Sequence, residues 1–250
     1  MEVGPGRGSG PRIGTSQTWR PLHCRNDIAG RVSSRHSGSM PRAPRHAPGD
    51  HLFHVLNRKN GDGNLYDTAS CYRTFLHFVG EVAAIDRMRI LAYCLMPNHW
   101  HMLLWPRADG DLARFVQRLT LRHSYAWHSR HGSHGRGHLY QSRYKSFVIL
   151  DEAYLLTVCR YIERNPVRAK LVDHPAAWRW SSARVHLATT ESGLNGSAED
   201  FLAPILEPLP IALPSDWKNW LDQPQSDAEL DALRMCAQRG TEYGSTKPAG

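Results

Sequence analysis

The segment from Tyr93 to Trp105 constrains the fold of this chain more than any other stretch. Within it, two apolar runs flank Pro97-Asn98, and this pattern predicts a strand, a tight turn and a second strand. His99 and His101 lie two positions apart in the second run. Because side chains on a strand alternate between the two faces of a sheet, both imidazoles are expected to point to the same side.

The two histidines have two interpretations. Neighbouring imidazoles on a strand supply half of a metal site. Alternatively, one is a surface residue and the other is a core histidine with a hydrogen-bond partner. For an isolated His-x-His pair the second interpretation is favoured, so the metal-site hypothesis depends on a partner elsewhere in the chain.

Residues 155–168 supply a candidate partner. Their apolar residues recur at helical spacing and predict an amphipathic helix. These residues are Leu155, Val158, Cys159 and Ile162. Tyr161 and Asn165 are four positions apart and share one helix face, while Pro166 predicts the end of the helix at Asn165. The pair can supply a nucleophile and an oxygen ligand; the alternative is a half-buried tyrosine beside a capping asparagine.

Together the two stretches resemble a known family. A Pro-Asn-His-x-His strand followed by a distant Tyr-x-x-x-Asn helix is similar to the single-tyrosine (Y1) branch of the HUH nucleases, the transposases of IS200/IS605 type. The greatest similarity is to the REP-associated tyrosine transposases. Here Tyr161 follows His101 by 60 positions. The resemblance covers roughly residues 40–186 and includes, besides the two motifs, the segments 40–42, 54–58, 137–147 and 178–182.

The resemblance implies a metal-dependent tyrosine DNA transposase or nuclease. In this family pattern His99, His101 and Asn165 would hold one divalent cation, Mg²⁺ or Mn²⁺. Tyr161 would attack a phosphate of single-stranded DNA close to a hairpin and form a 5′-phosphotyrosine. The REP-associated branch favours a monomer over the dimers with exchanged tyrosine helices found among related enzymes.

Tyr154 is a rival nucleophile, because it lies seven positions before Tyr161 and roughly on the same helix face. Its neighbour four positions later is Val158, which cannot bind a metal, so the Tyr-x-x-x-Asn pairing of the family selects Tyr161. Glu163 and Arg164 are expected to face solvent or DNA. A phenol needs help to lose its proton at neutral pH, and the sequence does not identify the base.

The positive charge of the chain is concentrated near the predicted tyrosine helix. The formal net charge is +8, and residues 112–170 alone contain 11 Lys and Arg against 3 acidic residues. A cationic surface beside a candidate nucleophile favours a polyanionic substrate; a solvated basic face that binds nothing is the alternative. The candidate DNA-binding residues are Arg114, Arg118, Arg122, Arg143, Lys145, Arg164 and Arg168.

The predicted order of elements is β-α-β-β-α-β-α, which favours an α+β fold. We expect a ferredoxin-like antiparallel sheet with helices packed on one face. Residues 1–50 are rich in Gly, Pro, Ser and Arg and are predicted to form a disordered basic tail, with Met40 as an alternative start. The nuclease domain is predicted over residues 51–186, with its fourth strand at 139–150. Residues 187–250 are predicted to be an irregular, partly helical extension.

Composition narrows the class of protein further. Five scattered cysteines without C-x-x-C spacing favour reduced thiols in a cytoplasmic, nucleoid-associated protein over a disulfide framework. No apolar run approaches the length of a membrane span. Residues 128–138 contain four histidines, but their glycines favour a mobile basic loop over DNA rather than fixed metal coordination.

Two other functional classes remain open from the sequence. A domesticated DNA-binding protein would keep the fold and lose turnover. A metal-dependent hydrolase would use water as the nucleophile and would form no covalent adduct between protein and DNA.

Overall fold

Four antiparallel strands form the centre of the fold. The computed structural model describes residues 47–190, 205–240 and 242–243. The strands are β1 (Leu52–Arg58), β2 (Arg89–Met96), β3 (His99–Trp105) and β4 (Lys145–Ile149). Their order in the sheet is β2-β3-β1-β4, and all neighbouring pairs are antiparallel. With two helices interleaved among the strands, this arrangement confirms the predicted ferredoxin-like sheet.

The predicted strand–turn–strand unit is present. Pro97 and Asn98 form the turn between β2 and β3. Their carbonyl groups accept hydrogen bonds from Leu65 N at 2.7 Å and Lys59 N at 2.9 Å, respectively. The turn is therefore tied to the chain that follows β1, which fixes where β3 begins.

Helices cover both faces of the sheet. The helices of the described residues are α1 (Ala69–Asp86), α2 (Asp111–Arg130), α3 (Glu152–Glu163), α4 (Asn165–Arg168), α5 (Ala183–Thr190), α6 (Trp217–Asp222) and α7 (Asp227–Arg239). On one face Trp100 and Met102 of β3 pack in a core with residues of α1 and α2, which confirms the predicted helical layer. On the other face Leu103 packs with residues of α3, α5, α6 and α7, and this second layer was not expected.

The helix that carries Tyr161 begins and ends close to its predicted limits. Asp151 Oδ1 accepts a hydrogen bond from Tyr154 N at 3.1 Å, which satisfies one free amide at the start of α3. The helix ends at Glu163, and α4 starts at Asn165. Pro166 occupies the first turn of α4, a position where the missing N–H of proline costs no helical hydrogen bond.

The fourth strand is shorter than the predicted segment 139–150. Residues 141–143 are exposed and have no apolar side chains to alternate with polar ones, so they do not join the sheet. Tyr140 makes only an isolated bridge with Lys59. The strand begins at Lys145, where Phe147 and Ile149 supply the buried alternation that a sheet requires.

Both ends of the described chain contact the domain. Most of the predicted tail, residues 1–46, lies outside the described residues. Asp50 is an exception: its amide N–H donates to the Pro106 carbonyl at 2.8 Å, and its carboxylate pairs with Arg89 at 3.0 Å. Contacts with the domain therefore begin a few residues earlier than predicted.

Near the C-terminus, α7 confirms the helical spacing seen in the sequence over residues 227–238. It starts with a capping box between Ser226 and Glu229 and ends at Gly240, which has a φ of 70°. None of the helices in the described ranges is long and apolar enough to cross a membrane.

Candidate active site

Three histidines lie together on the face of the sheet that α3 covers. His101 pairs with Leu56 of β1, and His54 lies two positions before Leu56 on the same strand. The rings of His54 and His101 are stacked with centroids 5.0 Å apart, and the His99 and His101 centroids are also 5.0 Å apart. His54 and His101 are buried at 1% and 4% relative exposure. The predicted common orientation of His99 and His101 is thus extended by a third imidazole.

Hydrogen bonds hold one ring nitrogen of each of the two predicted histidine ligands. His101 Nδ1 lies 2.8 Å from His54 Nε2, and His99 Nδ1 lies 2.7 Å from Asn98 Oδ1. The Nε2 atoms of His99 and His101 have no hydrogen-bond partner among the described residues. Two neighbouring imidazoles with Nδ1 engaged and Nε2 available form the donor arrangement that metal-binding histidines adopt.

Burial keeps these imidazoles neutral. It lowers the pKa of His54 to about 3 and that of His99 to about 4, with a smaller contribution from nearby arginine cations. The pKa of His101 is also lowered, first by burial and then by its charged neighbours. A neutral imidazole offers a nitrogen lone pair, so the site needs no proton release before it can bind a cation at neutral pH.

Tyr161 lies against the histidines. Its ring centroid is 5.9 Å from that of His101 and 5.8 Å from that of His54, with interplanar angles of 83° and 81°. The phenol and the imidazoles, predicted to converge from two distant motifs, are therefore within one small group of side chains. Tyr154 instead packs with its ring centroid 4.8 Å from that of Tyr243.

Arg168 completes the surroundings of Tyr161. Its Cζ lies 4.1 Å from the centroid of the Tyr161 ring, and its Nη2 donates to the Tyr161 carbonyl at 2.7 Å. Burial lowers the pKa of Arg168 to about 10, so the guanidinium stays cationic at neutral pH. A positive charge over the face of the phenol ring is a favourable electrostatic arrangement.

Asn165, the third predicted metal ligand, is the first residue of α4. Its side chain is partly exposed, but its Nδ2 atom is buried and has no hydrogen-bond partner among the described residues. A buried N–H without an acceptor is costly. The side chain therefore has an unmet hydrogen-bonding requirement at its nitrogen end.

Two cations line the histidine face of the sheet. Arg58 of β1 pairs with His99 of β3. Leu56 of β1 pairs with Lys145 on one side and with His101 on the other. Directly opposed residues of antiparallel strands point to the same face. Both cations are exposed, as is the predicted DNA ligand Arg143.

The three arginines of α2 do not lie on the histidine face of the sheet. Arg114, Arg118 and Arg122 belong to the helical layer on the opposite face of the sheet from Tyr161. Arg114 and Arg118 approach Asp86 at 3.6 and 3.4 Å, and Arg122 pairs with Glu81 of α1 at 2.8 Å. Acidic residues of α1 and α2 thus pair with all three arginines, and contact between these arginines and DNA stays a prediction.

Glu163 and Arg164 were predicted to face solvent or DNA, but both are buried. Arg164 has 6% relative exposure, and its Nη1 donates to the Leu221 carbonyl at 2.5 Å, so it joins α3 to α6 rather than contacting DNA. Glu163 is fully buried, and its Oε1 lies 2.7 Å from His186 Nδ1 and accepts from Ser182 Oγ at 2.6 Å.

Glu163 belongs to a second group of candidate ligand atoms. Cys159, Glu163 and His186 are all buried, and their ligand atoms lie within 4.8 Å of one another. Glu163 raises the pKa of His186 against the opposing effect of burial. Glu163 Oε1 binds both His186 and Ser182, whereas Glu163 Oε2 is buried without a hydrogen-bond partner among the described residues. We interpret this group as a structural link between α3 and α5.

A cleft of about 810 Å³ lies at one end of the sheet, on the side that α2 covers. It lies between α2 and residues 137–144, and Asn57, the last buried residue of β1, lines it. Gln141 also lines the cleft, and its N–H donates to the carbonyl of Arg58 at 2.9 Å.

Sequence reasoning missed His54 and Arg58. Both lie on the run 54–58 that resembled the family, and the period-two pattern of a strand places them on one face. Only the register between β1 and β3, which pairs Leu56 with His101, shows that this face is the one that carries the histidine pair. Strand register depends on long-range pairing, so the sequence alone did not give these contacts.

Comparisons with known proteins found a matching family and two similar solved structures. The model of the family described as "Transposase IS200 like" matches residues 51–165. A solved structure of a REP-associated tyrosine transposase bound to a REP hairpin is 20% identical, with a TM-score of 0.51 over 64% of this chain and 93% of the other. A putative transposase from Deinococcus radiodurans R1 is 15% identical, with a TM-score of 0.33 over 51% and 96% of the two chains. No curated protein matches the chain significantly.

Proposed function

Because residues 51–165 belong to the family of IS200-like transposases, we propose that this protein cleaves and rejoins single-stranded DNA with Tyr161 as the nucleophile. The observation that carries the proposal is the position of the Tyr161 ring, 5.9 Å from the ring of His101. The two residues are 60 positions apart in the chain. A phenol beside two imidazoles with available Nε2 atoms is the arrangement that phosphoryl transfer to tyrosine requires.

The reaction is a transesterification. The Tyr161 hydroxyl oxygen attacks phosphorus in line, and the bond between phosphorus and the 3′ oxygen of the preceding nucleotide breaks. The 3′ oxygen takes up a proton and leaves as a free hydroxyl, while the phenol proton passes to a base or to solvent. The product is a 5′-phosphotyrosine, and attack by another 3′ hydroxyl reverses the step and joins strands.

His99, His101 and Asn165 would hold the divalent cation, Mg²⁺ or Mn²⁺. Two imidazole nitrogens and an amide oxygen form a donor set that suits Mn²⁺ and is compatible with Mg²⁺. The bound cation would polarise the scissile phosphate and offset its developing charge. If the Asn165 oxygen faces the cation, its buried Nδ2 still lacks an acceptor among the described residues.

His54 acts through His101 in this proposal. For His101 Nε2 to bind a cation, the proton of the ring must sit on Nδ1. That proton can then be donated to His54 Nε2, 2.8 Å away, which leaves the His54 proton on its own Nδ1. The contact is compatible with the metal-binding tautomer of His101, at the cost of a His54 Nδ1–H that is buried without an acceptor among the described residues. In this proposal His54 is a positioning residue rather than a ligand.

The DNA strand would enter over the cationic end of the sheet. Arg58, Arg143 and Lys145 are exposed there, and cations of this kind contact phosphates. We propose hairpin DNA as the partner because the relative with a TM-score of 0.51 is bound to a REP hairpin. Such a substrate implies a cytoplasmic, nucleoid-associated protein.

We propose a monomer in which Tyr161 acts on the histidines of its own chain. Contacts between α3 and the C-terminal helices support this, since Arg160 pairs with Glu229 at 3.3 Å and Arg164 binds the Leu221 carbonyl. Exchange of the tyrosine helix between two chains would break both contacts.

A denaturing gel tests the proposed function. The protein is incubated with Mn²⁺ and a labelled DNA hairpin with single-stranded flanks, taken from a palindrome repeated in the source chromosome. We expect a covalent protein–DNA adduct with the unmodified protein and none with Tyr161→Phe. Cleavage without an adduct would support the water-using hydrolase, and DNA binding without cleavage would support the domesticated binding protein.

A further inference from the structure

Three arginines of α3 and α4 contact the same part of the chain. Arg160, Arg164 and Arg168 are spaced four apart, and all three reach residues 217–239, which we call the C-terminal clamp. The clamp consists of α6, α7 and the four residues between them. Arg160 Nη2 lies 3.3 Å from a Glu229 carboxylate oxygen, and Arg164 Nη1 donates to the carbonyl of Leu221.

Arg168 differs from the other two because it also touches the candidate nucleophile. Its guanidinium lies over the Tyr161 ring at 4.1 Å and donates to the Tyr161 carbonyl at 2.7 Å. A second nitrogen, Nη1, donates to Gln225 Oε1 at 3.3 Å. The guanidinium is therefore held from two sides, by the helix that carries Tyr161 and by the clamp.

Gln225 fixes the clamp end of this arrangement. It has 8% relative exposure and lies between α6 and α7. While its Oε1 accepts from Arg168, its Nε2 donates to the Thr157 carbonyl at 3.4 Å. Thr157 and Arg168 lie four positions before and seven positions after Tyr161, so one glutamine side chain spans the segment that carries the nucleophile.

The Tyr161 ring has contacts on its edge and on its face. His54 and His101 meet the ring at interplanar angles of 81° and 83°, and the guanidinium of Arg168 covers a face. The side chain is only partly buried, so core packing alone does not fix its rotamer. In-line attack needs the nucleophile in place to within a fraction of an ångström, and a misplacement of about 1 Å can cost about 100-fold in rate.

We propose that Arg168, held by Gln225 of the C-terminal clamp, is a positioning residue that fixes the Tyr161 phenol for attack. The clamp is then a part of the active site, although it contributes no group to the chemistry. The planar guanidinium is needed because it covers the ring and donates in two directions at once, which a lysine ammonium on a flexible stem does not reproduce. This inference rests on the proposed function of Tyr161.

The experiment measures adduct formation in a single turnover with saturating hairpin DNA and Mn²⁺, together with DNA affinity by fluorescence anisotropy. For Arg168→Lys and Gln225→Leu we expect the rate to fall about 10-fold or more, with DNA affinity within about threefold. Arg160→Lys is the matched control, because it loses contacts with the same clamp but does not touch Tyr161. Its rate should stay within about threefold of the unmodified protein.

A second measurement separates positioning from general destabilisation. Arg168→Ala removes the guanidinium, and added guanidinium ion in the millimolar range should restore part of its rate while leaving the rates of Arg160→Lys and Tyr161→Phe unchanged. Equal rate losses in Arg160→Lys and Arg168→Lys, or no loss in Arg168→Lys and Gln225→Leu, would overturn the inference. If the unmodified protein forms no adduct, the proposed function and the inference both fail. If it forms the adduct and the Arg168 variants react at the same rate, only the inference fails.

Discussion

His54 Nε2 lies 2.8 Å from His101 Nδ1, and both rings are buried on the face of the sheet that α3 covers. We predict that His54→Ala weakens Mn²⁺ binding about 10- to 100-fold, because the tautomer and orientation of His101 are no longer fixed. Titration of Mn²⁺ by calorimetry measures this directly. His123→Ala is the matched control, since His123 is equally buried but lies on the opposite face beside Tyr140. Equal losses in both variants would contradict the role of His54.

Tyr161 and Tyr154 are the two candidate nucleophiles, and they lie on the same helix. Substitution of each by Phe distinguishes them. Tyr161→Phe should abolish the covalent adduct with hairpin DNA, because it removes only the attacking oxygen, and should leave the unfolding midpoint nearly unchanged. Tyr154→Phe should keep adduct formation within about threefold, since Tyr154 packs against Tyr243 rather than the histidines. Denaturing gels and thermal unfolding of the two variants test this pair of outcomes.

Lys145 and Arg58 should contribute to DNA affinity, and the α2 arginines should not. We expect Lys145→Ala or Arg58→Ala to weaken binding of hairpin DNA and to reduce the slope of log K against log salt by about 1. Arg118→Ala is the control, because Arg118 is paired with Asp86 on the other side of the sheet. Fluorescence anisotropy at several salt concentrations gives the slopes, and an equal change in Arg118→Ala would refute the assignment.

Arg164 should matter for folding rather than for DNA. Its guanidinium is buried and binds the Leu221 carbonyl, so Arg164→Ala leaves that carbonyl without its donor and removes packing between α3 and α6. We expect a loss of about 2–3 kcal/mol in the free energy of unfolding. Urea denaturation measures it. DNA affinity of the folded fraction should not change, in contrast to Lys145→Ala.

Buried neutral histidines make stability depend on pH. Burial lowers the pKa of His123 from 6.5 to about 3 in the folded protein. As the pH falls below about 6.5, the unfolded chain binds a proton at this residue and the folded protein does not, so stability decreases. At about pH 5 this one group costs about 2 kcal/mol relative to neutral pH.

His123→Gln removes this titration. The difference in unfolding free energy between about pH 7.5 and pH 5 should be smaller in this variant by about 2 kcal/mol, as measured by urea denaturation. His77→Gln serves as a comparison, because His77 has an exposed side chain, and its variant should keep the full pH dependence. An unchanged pH dependence in His123→Gln would contradict the prediction.

The local parts of the fold followed from sequence patterns. The apolar runs around Pro97-Asn98 predicted the β2-β3 hairpin, and helical spacing predicted α3 and α7. The errors came from long-range pairing. Arg164 was expected at the surface because the spacing of α3 shows one apolar face, whereas the C-terminal helices cover a second face. The α2 arginines, whose contact with DNA stays a prediction, pair with Asp86 and Glu81 of α1, and the sequence did not show these ion pairs.

Only the residues of the candidate site that belong to a recognisable motif could be predicted from the sequence. His99, His101 and Tyr161 were identified by spacing and by family resemblance, and their rings do lie together. Arg168 was expected to contact DNA, but its position over Tyr161 depends on the tertiary fold. Gln225 gave no signal, because a single glutamine between two short helices has no pattern of its own.

Side chains alternate along β3, so this strand contributes to the core on one face and to the candidate site on the other. Trp100 fills the core beneath α1 and α2, while His99 and His101 face the opposite side. A slip of one residue in the pairing of this strand would exchange its two faces, moving both imidazoles beneath α1 and α2 and the indole beneath α3. The register that packs Trp100 therefore also sets the side of the sheet on which the proposed ligands lie, so an error in closing this hairpin would disturb the core and the site together.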